Sequence, residues 1–128
     1  MALLALDIGG TTIKHALFTE AGERITAVQE TPTEKTAADN HIAAQAGTIY
    51  QAYHHSGITG VAIASAGVVD PDTGTIVSAG YTIPGYTGTP LKQSVENSTG
   101  GPCWVENDEN CALLGGLWRN HYPQQHIF

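Results

Sequence analysis

An apolar run from Leu3 to Ile8 reads as a short buried strand, yet it holds a carboxylate at Asp7 and stops at Gly9-Gly10. Burying an unpaired carboxylate is costly, so a plain structural strand does not explain Asp7. The chain resumes as a second strand from Ile13 to Thr19, closed by Ala21-Gly22, and Arg24 to Glu30 is expected to form a third. Two strands joined by a short glycine connection predict a hairpin.

Beyond Pro32 the period changes. Ile42, Ala46, Ile49 and Tyr53 fall at helical spacing, which predicts a helix between Thr36 and Ser56, capped by Thr36 or Asp39 and stopped at Gly57. Gly60 to Ala64 is again a short apolar strand, Asp70 to Gly74 is turn chemistry, and Thr75 to Val77 is another strand. Gly80 to Gly88 has no periodicity and reads as a loop. Thr89-Pro90 opens a short helix carrying Leu91 and Val95, which ends at Gly100-Gly101. Pro102 to Glu106 is a last strand, and Asn107 to Asn110 cap a last helix with Cys111, Leu114 and Trp118 on one face. The order β-β-β-α-β-β-α-β-α is mixed α/β, in one domain of 128 residues.

Charge narrows the partners. Five Lys and Arg stand against 12 Asp and Glu, a net charge of −7. A nucleic acid or an anionic membrane needs a basic face, so neither is an expected partner. An acidic chain that handles phosphates must use local devices: backbone N–H groups, one Lys, a metal ion. No stretch approaches the ~20 apolar residues of a membrane span, and the opening run lacks a basic leader, so a cytoplasmic setting is expected. Cys103 and Cys111 make neither a zinc knuckle nor a C-x-x-C motif and read as small buried hydrophobes. The six His show no metal spacing and read as surface residues.

Three segments could carry chemistry. In Asp7-Ile8-Gly9-Gly10-Thr11-Thr12-Ile13-Lys14, glycines let the backbone approach a polyanion, hydroxyls add donors, and Asp7 can hold Mg2+ through water. The competing reading is a tight hairpin that needs glycine anyway. In Val105-Glu106-Asn107-Asp108-Glu109-Asn110, Asp108 sits at the carboxyl end of a strand, where it can serve as a general base or simply cap a helix. Ser65-Ala66-Gly67 can let a ligand approach the backbone or merely turn the chain. Tyr81 and Tyr86 can stack on a sugar ring or pack their own loop.

Taken in this order, these segments resemble the ROK family of sugar kinases, a branch of the actin-like/hexokinase ATPase superfamily. Leu6 to Lys14 looks like the family's first phosphate motif, and Ser65-Ala66-Gly67 with Val69-Asp70 looks like its glycine loop. Ile83-Pro84-Gly85-Tyr86 followed by Thr89-Pro90-Leu91 resembles the sugar loop, and Val105 to Ala112 resembles the catalytic segment. Where the family usually has Trp this chain has Tyr86, and where it has a sugar-binding Asn the chain has Thr82.

The resemblance implies an α/β actin-like ATPase (ribonuclease H-like) domain, with a mixed sheet and flanking helices. It implies ATP-dependent phosphorylation of a sugar hydroxyl, of the glucokinase, N-acetylmannosamine kinase or β-glucoside kinase type. Asp108 would be the catalytic base. Gly9, Gly10, Thr11 and Thr12 would cradle the phosphate, with Lys14 supplying charge and Asp7 assisting Mg2+. Asn107, Asp108, Gly67, Thr82 and Tyr86 would contact the sugar. The implied ligands are ATP, Mg2+ and a sugar, with no zinc site in this stretch.

Family members continue into a second lobe, so residues 1–128 are expected to be the N-terminal lobe alone, inactive or weakly active by itself. A lobe without its mate is expected to expose apolar side chains such as Leu114, Leu117 and Trp118 and to self-associate as a dimer. The alternative is a sugar-sensing regulator of the same family. It would carry a helix-turn-helix segment ahead of the phosphate motif, whereas this motif begins at Leu6.

Overall fold

The computed structural model describes residues 2–19, 21, 23–35, 39–53, 57–70, 72–79 and 83–107. The elements are β1 (Ala2–Ile8), β2 (Thr12–Thr19), β3 (Gln29–Pro32), α1 (Ile42–Ala52), β4 (Ile58–Ser65), β5 (Val68–Asp70), β6 (Thr75–Ser78), α2 (Leu91–Thr99) and β7 (Cys103–Asn107). Five strands form one mixed sheet in the order β3-β2-β1-β4-β7, and β5 and β6 form a separate antiparallel pair. The β1–β2–β3 meander is antiparallel, while β1, β4 and β7 run parallel.

Topology decides where the helices lie. The crossovers β1 to β4 and β4 to β7 step the same way across the sheet, so right-handed connections put α1 and α2 on one face. Leu4, Leu6 and Ile8 of β1, Ile13 of β2 and Ile63 of β4 supply the sheet side of this core. Ile42, Ala46 and Ile49 of α1, with Leu91 and Val95 of α2, supply the helix side. Each fully buried Leu or Ile contributes about 1.5–3 kcal/mol over exposure. The other face is built from small residues, Ala5, Ala16, Ala62 and Ala64, all buried. There a Cβ on Gly60 would stand 2.7 Å from the Trp104 ring, so the glycine makes room for the indole.

Three expectations need correction. The third strand is Gln29–Pro32 rather than Arg24 to Glu30: Arg24 makes only an isolated bridge to Phe18, and Ile25 and Val28 are exposed rather than core-facing. Pro32 is tolerated as the last residue of this edge strand, where its missing N–H costs no ladder bond. The first helix begins only at Ile42, with His41 at the N-cap, whose side chain makes no cap bond; just ahead of it Asn40 Oδ1 accepts the Ile42 N–H at 3.1 Å. Of the expected caps, Asp39 turns its Oδ1 to the Asn40 N–H instead, and Thr36 lies outside the described residues. Finally, Val68–Asp70 is a strand paired with β6, closed by the Asp70–Gly74 turn in which the Gly74 N–H donates to the Asp70 carbonyl.

The last helix, with Leu114, Leu117 and Trp118, lies outside the described residues. Cys103 is a buried free thiol, pushed up to about 12 by burial and then by the neighbouring Glu96 carboxylate. That keeps it protonated and inert. No helix among the described residues is long and apolar enough to cross a membrane.

Candidate active site

Register brings the separate segments to one edge. Ile8 pairs with Ser65 and Ser65 with Asn107, so the carboxyl ends of β1, β4 and β7 are flush. One residue earlier, Lys14, Asp7, Ala64 and Glu106 form a second row. Two strand spacings separate the ends of β1 and β7, about 10 Å. Ligands of α/β sheets gather at such an edge.

Asp7, Gly9, Thr12 and Lys14 line an open cleft of about 180 Å³ at this edge. Asp7 and Lys14 are directly opposed on the antiparallel ladder, so a carboxylate and an ammonium share one face. The turn between them closes with the Gly9 N–H donating to the Thr12 carbonyl at 2.9 Å. Neither Gly9 nor Gly10 adopts a positive φ. The two-residue hairpin turns that demand glycine need one. Space rather than a positive φ favours glycine at Gly9, where a Cβ would lie 3.2 Å from the Thr12 carbonyl oxygen. A backbone without side chains beside the cleft also suits close approach by a bulky anion.

The turn is propped from behind by residues that sequence inspection did not single out. Thr33 donates its hydroxyl to the Gly9 carbonyl at 2.8 Å and its N–H to the Thr11 carbonyl at 2.9 Å. Gln45, buried on α1, holds the segment around Thr33 in turn. Its Nε2 donates to the Pro32 carbonyl at 2.7 Å, and its Oε1 accepts the Glu34 N–H at 2.9 Å. A Gln inside the apolar stripe of a helix was the available signal, since such a buried amide needs backbone partners.

Gly67 follows β4 with φ +90, and a Cβ there would lie 2.6 Å from the Ser78 carbonyl oxygen. Only glycine fits. Of the two readings of Tyr86, the structure displays packing. Its side chain is fully buried, and its hydroxyl lies 2.6 Å from Ser65 Oγ. Its loop is held by Asn40, whose Nδ2 donates to the Pro84 carbonyl. Asn107 ends the described part of the last strand, partly buried; Asp108 and Thr82 lie outside the described residues.

The reading of every His as a surface residue fails at His15. Only 6% exposed, it lies between Tyr53 of the α1 end, 2.7 Å from Nδ1, and Thr31 of β3, 2.9 Å from Nε2. Burial lowers its pKa below the ordinary 6.5. It points to the helix side of the sheet, with Ile13 and Leu17, and away from the cleft.

No group of three or more His, Cys, Asp or Glu among the described residues could hold a metal. Among the described residues that line the cleft, Asp7 is the carboxylate.

Known proteins resemble the chain in sequence and in fold. The chain is 38% identical over 116 residues to an uncharacterised protein of Clostridium perfringens, covering 90% of this chain and 39% of that one. It is 35% identical over 118 residues to a β-glucoside kinase of Listeria innocua, covering 92% and 38%. Among solved structures, a ROK family glucokinase from Streptomyces griseus in complex with glucose and AMPPNP superposes with a TM-score of 0.75 at 27% identity, covering 98% of this chain and 39% of that one. The fold is thus that of the actin-like ATPase kinases, as the resemblance implied. The chain spans about two fifths of the length of these relatives. The sequence pattern of the ROK family matches residues 3–127, nearly the whole chain, and the chain belongs to that family.

Proposed function

We propose that the chain is the N-terminal lobe of a sugar kinase, supplying the phosphate turn and the catalytic base for transfer of the ATP γ-phosphate to a sugar hydroxyl. The observation that carries this reading is the flush row Ile8–Ser65–Asn107, which sets the glycine turn and the end of β7 at one sheet edge about 10 Å apart. The names of the relatives, β-glucoside kinase and glucokinase, support the sugar and the nucleotide.

Each residue then has a task. Gly9, Gly10, Thr11 and Thr12 present backbone and hydroxyl donors to the transferred phosphate, and Lys14 adds positive charge. Phosphoryl transfer is mainly positioning and charge stabilisation, so this is the machinery it requires. Magnesium, when bound with the nucleotide, neutralises phosphate charge, and Asp7 is the residue that would orient it through water. Asn107 and the Gly67 backbone hold the sugar. Thr82 and the loop around Tyr86 wall the sugar site, and Asp108 accepts the proton of the attacking hydroxyl. A cytoplasmic setting and self-association of the lobe belong to the same reading; light scattering of the purified chain tests the latter.

The experiment is a chimera in which this chain replaces the matching part of the Listeria innocua β-glucoside kinase. The chimera is expected to phosphorylate a β-glucoside. Asp108→Asn should lower its turnover by about 10²–10⁴ without unfolding it. Turnover within a few-fold of the parent chimera would remove Asp108 from the role of base.

A further inference from the structure

We infer that Tyr86 and Ser65 are a positioning pair that sets the Ala66–Gly67 peptide at the ligand edge of the sheet. The inference rests on the proposed sugar site only for its ligand; the relay itself is built from contacts in the fold.

Ser65 is fully buried at the last position of β4, in the same row as Ile8 and Asn107. Its hydroxyl lies 3.1 Å from the Ala66 carbonyl, which can only accept, so Ser65 donates there. A hydroxyl has one proton. We assign the 2.6 Å contact with Tyr86 as a donation from the phenol to Ser65 Oγ, which leaves the Ser65 proton for the Ala66 carbonyl. The order is Tyr86 O–H to Ser65 O–H to the Ala66 carbonyl, with each bond polarising the next.

The consequence falls on Gly67. The Ala66 carbonyl and the Gly67 N–H belong to one planar trans peptide and point in opposite directions. Pinning the carbonyl toward Ser65 turns the Gly67 N–H the other way. The Ala66 N–H donates to the Ile8 carbonyl at 2.9 Å, tying this peptide segment to the strand that leads into the Gly9 turn. Gly67 takes φ +90 and has no side chain to fix its own plane, so an outside constraint is needed.

Tyr86 can supply that constraint because its loop is itself fixed. Asn40 holds the Pro84 carbonyl at 2.8 Å, the Gly88 N–H donates to the Ile76 carbonyl at 2.6 Å, and the Thr89 N–H donates to the Tyr86 carbonyl at 3.1 Å. A phenol is needed in this arrangement: an aromatic ring without a hydroxyl would fill the space and leave Ser65 without its donor. Tyr86 thus acts on the ligand through Ser65 and the Gly67 backbone, with its ring buried.

The test uses the ¹⁵N-labelled 128-residue chain with Tyr86→Phe, Ser65→Ala and the double variant. Tyr86→Phe keeps the ring packing, so it reads the hydroxyl alone. Three quantities are followed: the Gly67 amide cross-peak, the D-glucose dissociation constant by NMR titration, and the thermal midpoint. Each single variant is expected to move the Gly67 peak and weaken glucose binding about tenfold, and the double variant to be no worse than either single one. A Gly67 peak that stays in place in Tyr86→Phe overturns the relay, whatever the thermal midpoint does. If the parent chain shows no glucose response while the Gly67 peak moves in both variants, the relay stands and the sugar site fails.

Discussion

Thr33 reaches back to the Gly9 carbonyl with its hydroxyl at 2.8 Å, so the residue just past the edge strand holds the glycine turn in place. Its own segment hangs from Gln45 on α1. The glycine turn is therefore buttressed from the core, which fits its proposed task of keeping amide groups aimed without paying for ordering when an anion arrives. Thr33→Val keeps the shape and removes the donor. It should destabilise the chain by about 1–2 kcal/mol, read as a lowered urea midpoint at unchanged m-value. A midpoint equal to that of the parent would mean that the hydroxyl does not support the turn.

Glycine is required at Gly67 for two separate reasons, a positive φ and a Cβ that would meet the Ser78 carbonyl oxygen at 2.6 Å. Gly100 has the same sign of φ, +75, but nothing within 4 Å of its Cβ position. Gly100→Ala should therefore cost only the left-handed strain, about 1 kcal/mol. Gly67→Ala should cost several-fold more and loosen β5 from β6, since backbone must shift. Chemical denaturation of the two variants side by side checks the ranking, and equal losses would contradict it.

Acid should weaken the fold through His15. Burial lowers its folded pKa below the unfolded 6.5, so below pH 6.5 the unfolded chain binds a proton that the folded chain does not. Stability is full above pH 6.5 and is lost as pH falls from there toward the folded pKa. His15→Gln cannot titrate, so its melting temperature should fall less than that of the parent between pH 7.5 and 5.5. Parallel losses in the two proteins would assign the acid sensitivity to other groups.

The hairpin from Asp7 to Lys14 was legible because it breaks a rule: a carboxylate in an apolar strand has no bland explanation. The helical period of Ile42, Ala46 and Ile49 was legible too, since a whole face repeats, although its start was not, because the His41 N-cap carries no side-chain cap bond to mark it. What stayed hidden depends on distant partners. His15 looks like any strand residue until Tyr53, 38 positions away, and Thr31, 16 away, close around it. The strand Val68–Asp70 has three residues and no period of its own; only its pairing with β6 defines it. Tyr86 was ambiguous because one aromatic in a Gly/Pro loop suits stacking and packing alike, and the Ser65 hydroxyl that it meets lies 21 residues earlier.

The opposed charges of Asp7 and Lys14 predict effects of opposite sign on anion binding. Lys14→Met removes the cation of the cleft, and pyrophosphate should bind a few-fold more weakly with or without Mg2+. Asp7→Asn removes a like charge from the anion's surroundings, so metal-free pyrophosphate should bind a few-fold more tightly. With Mg2+ present the same variant loses the carboxylate that would face the hydrated ion, and binding should weaken instead. Both effects should shrink in high salt, because the cleft is open to solvent. NMR titration of the two variants with pyrophosphate, at low salt and with Mg2+ present or chelated, reads all four values. An Asp7→Asn effect of the same sign under both conditions would remove Asp7 from any contact with the metal.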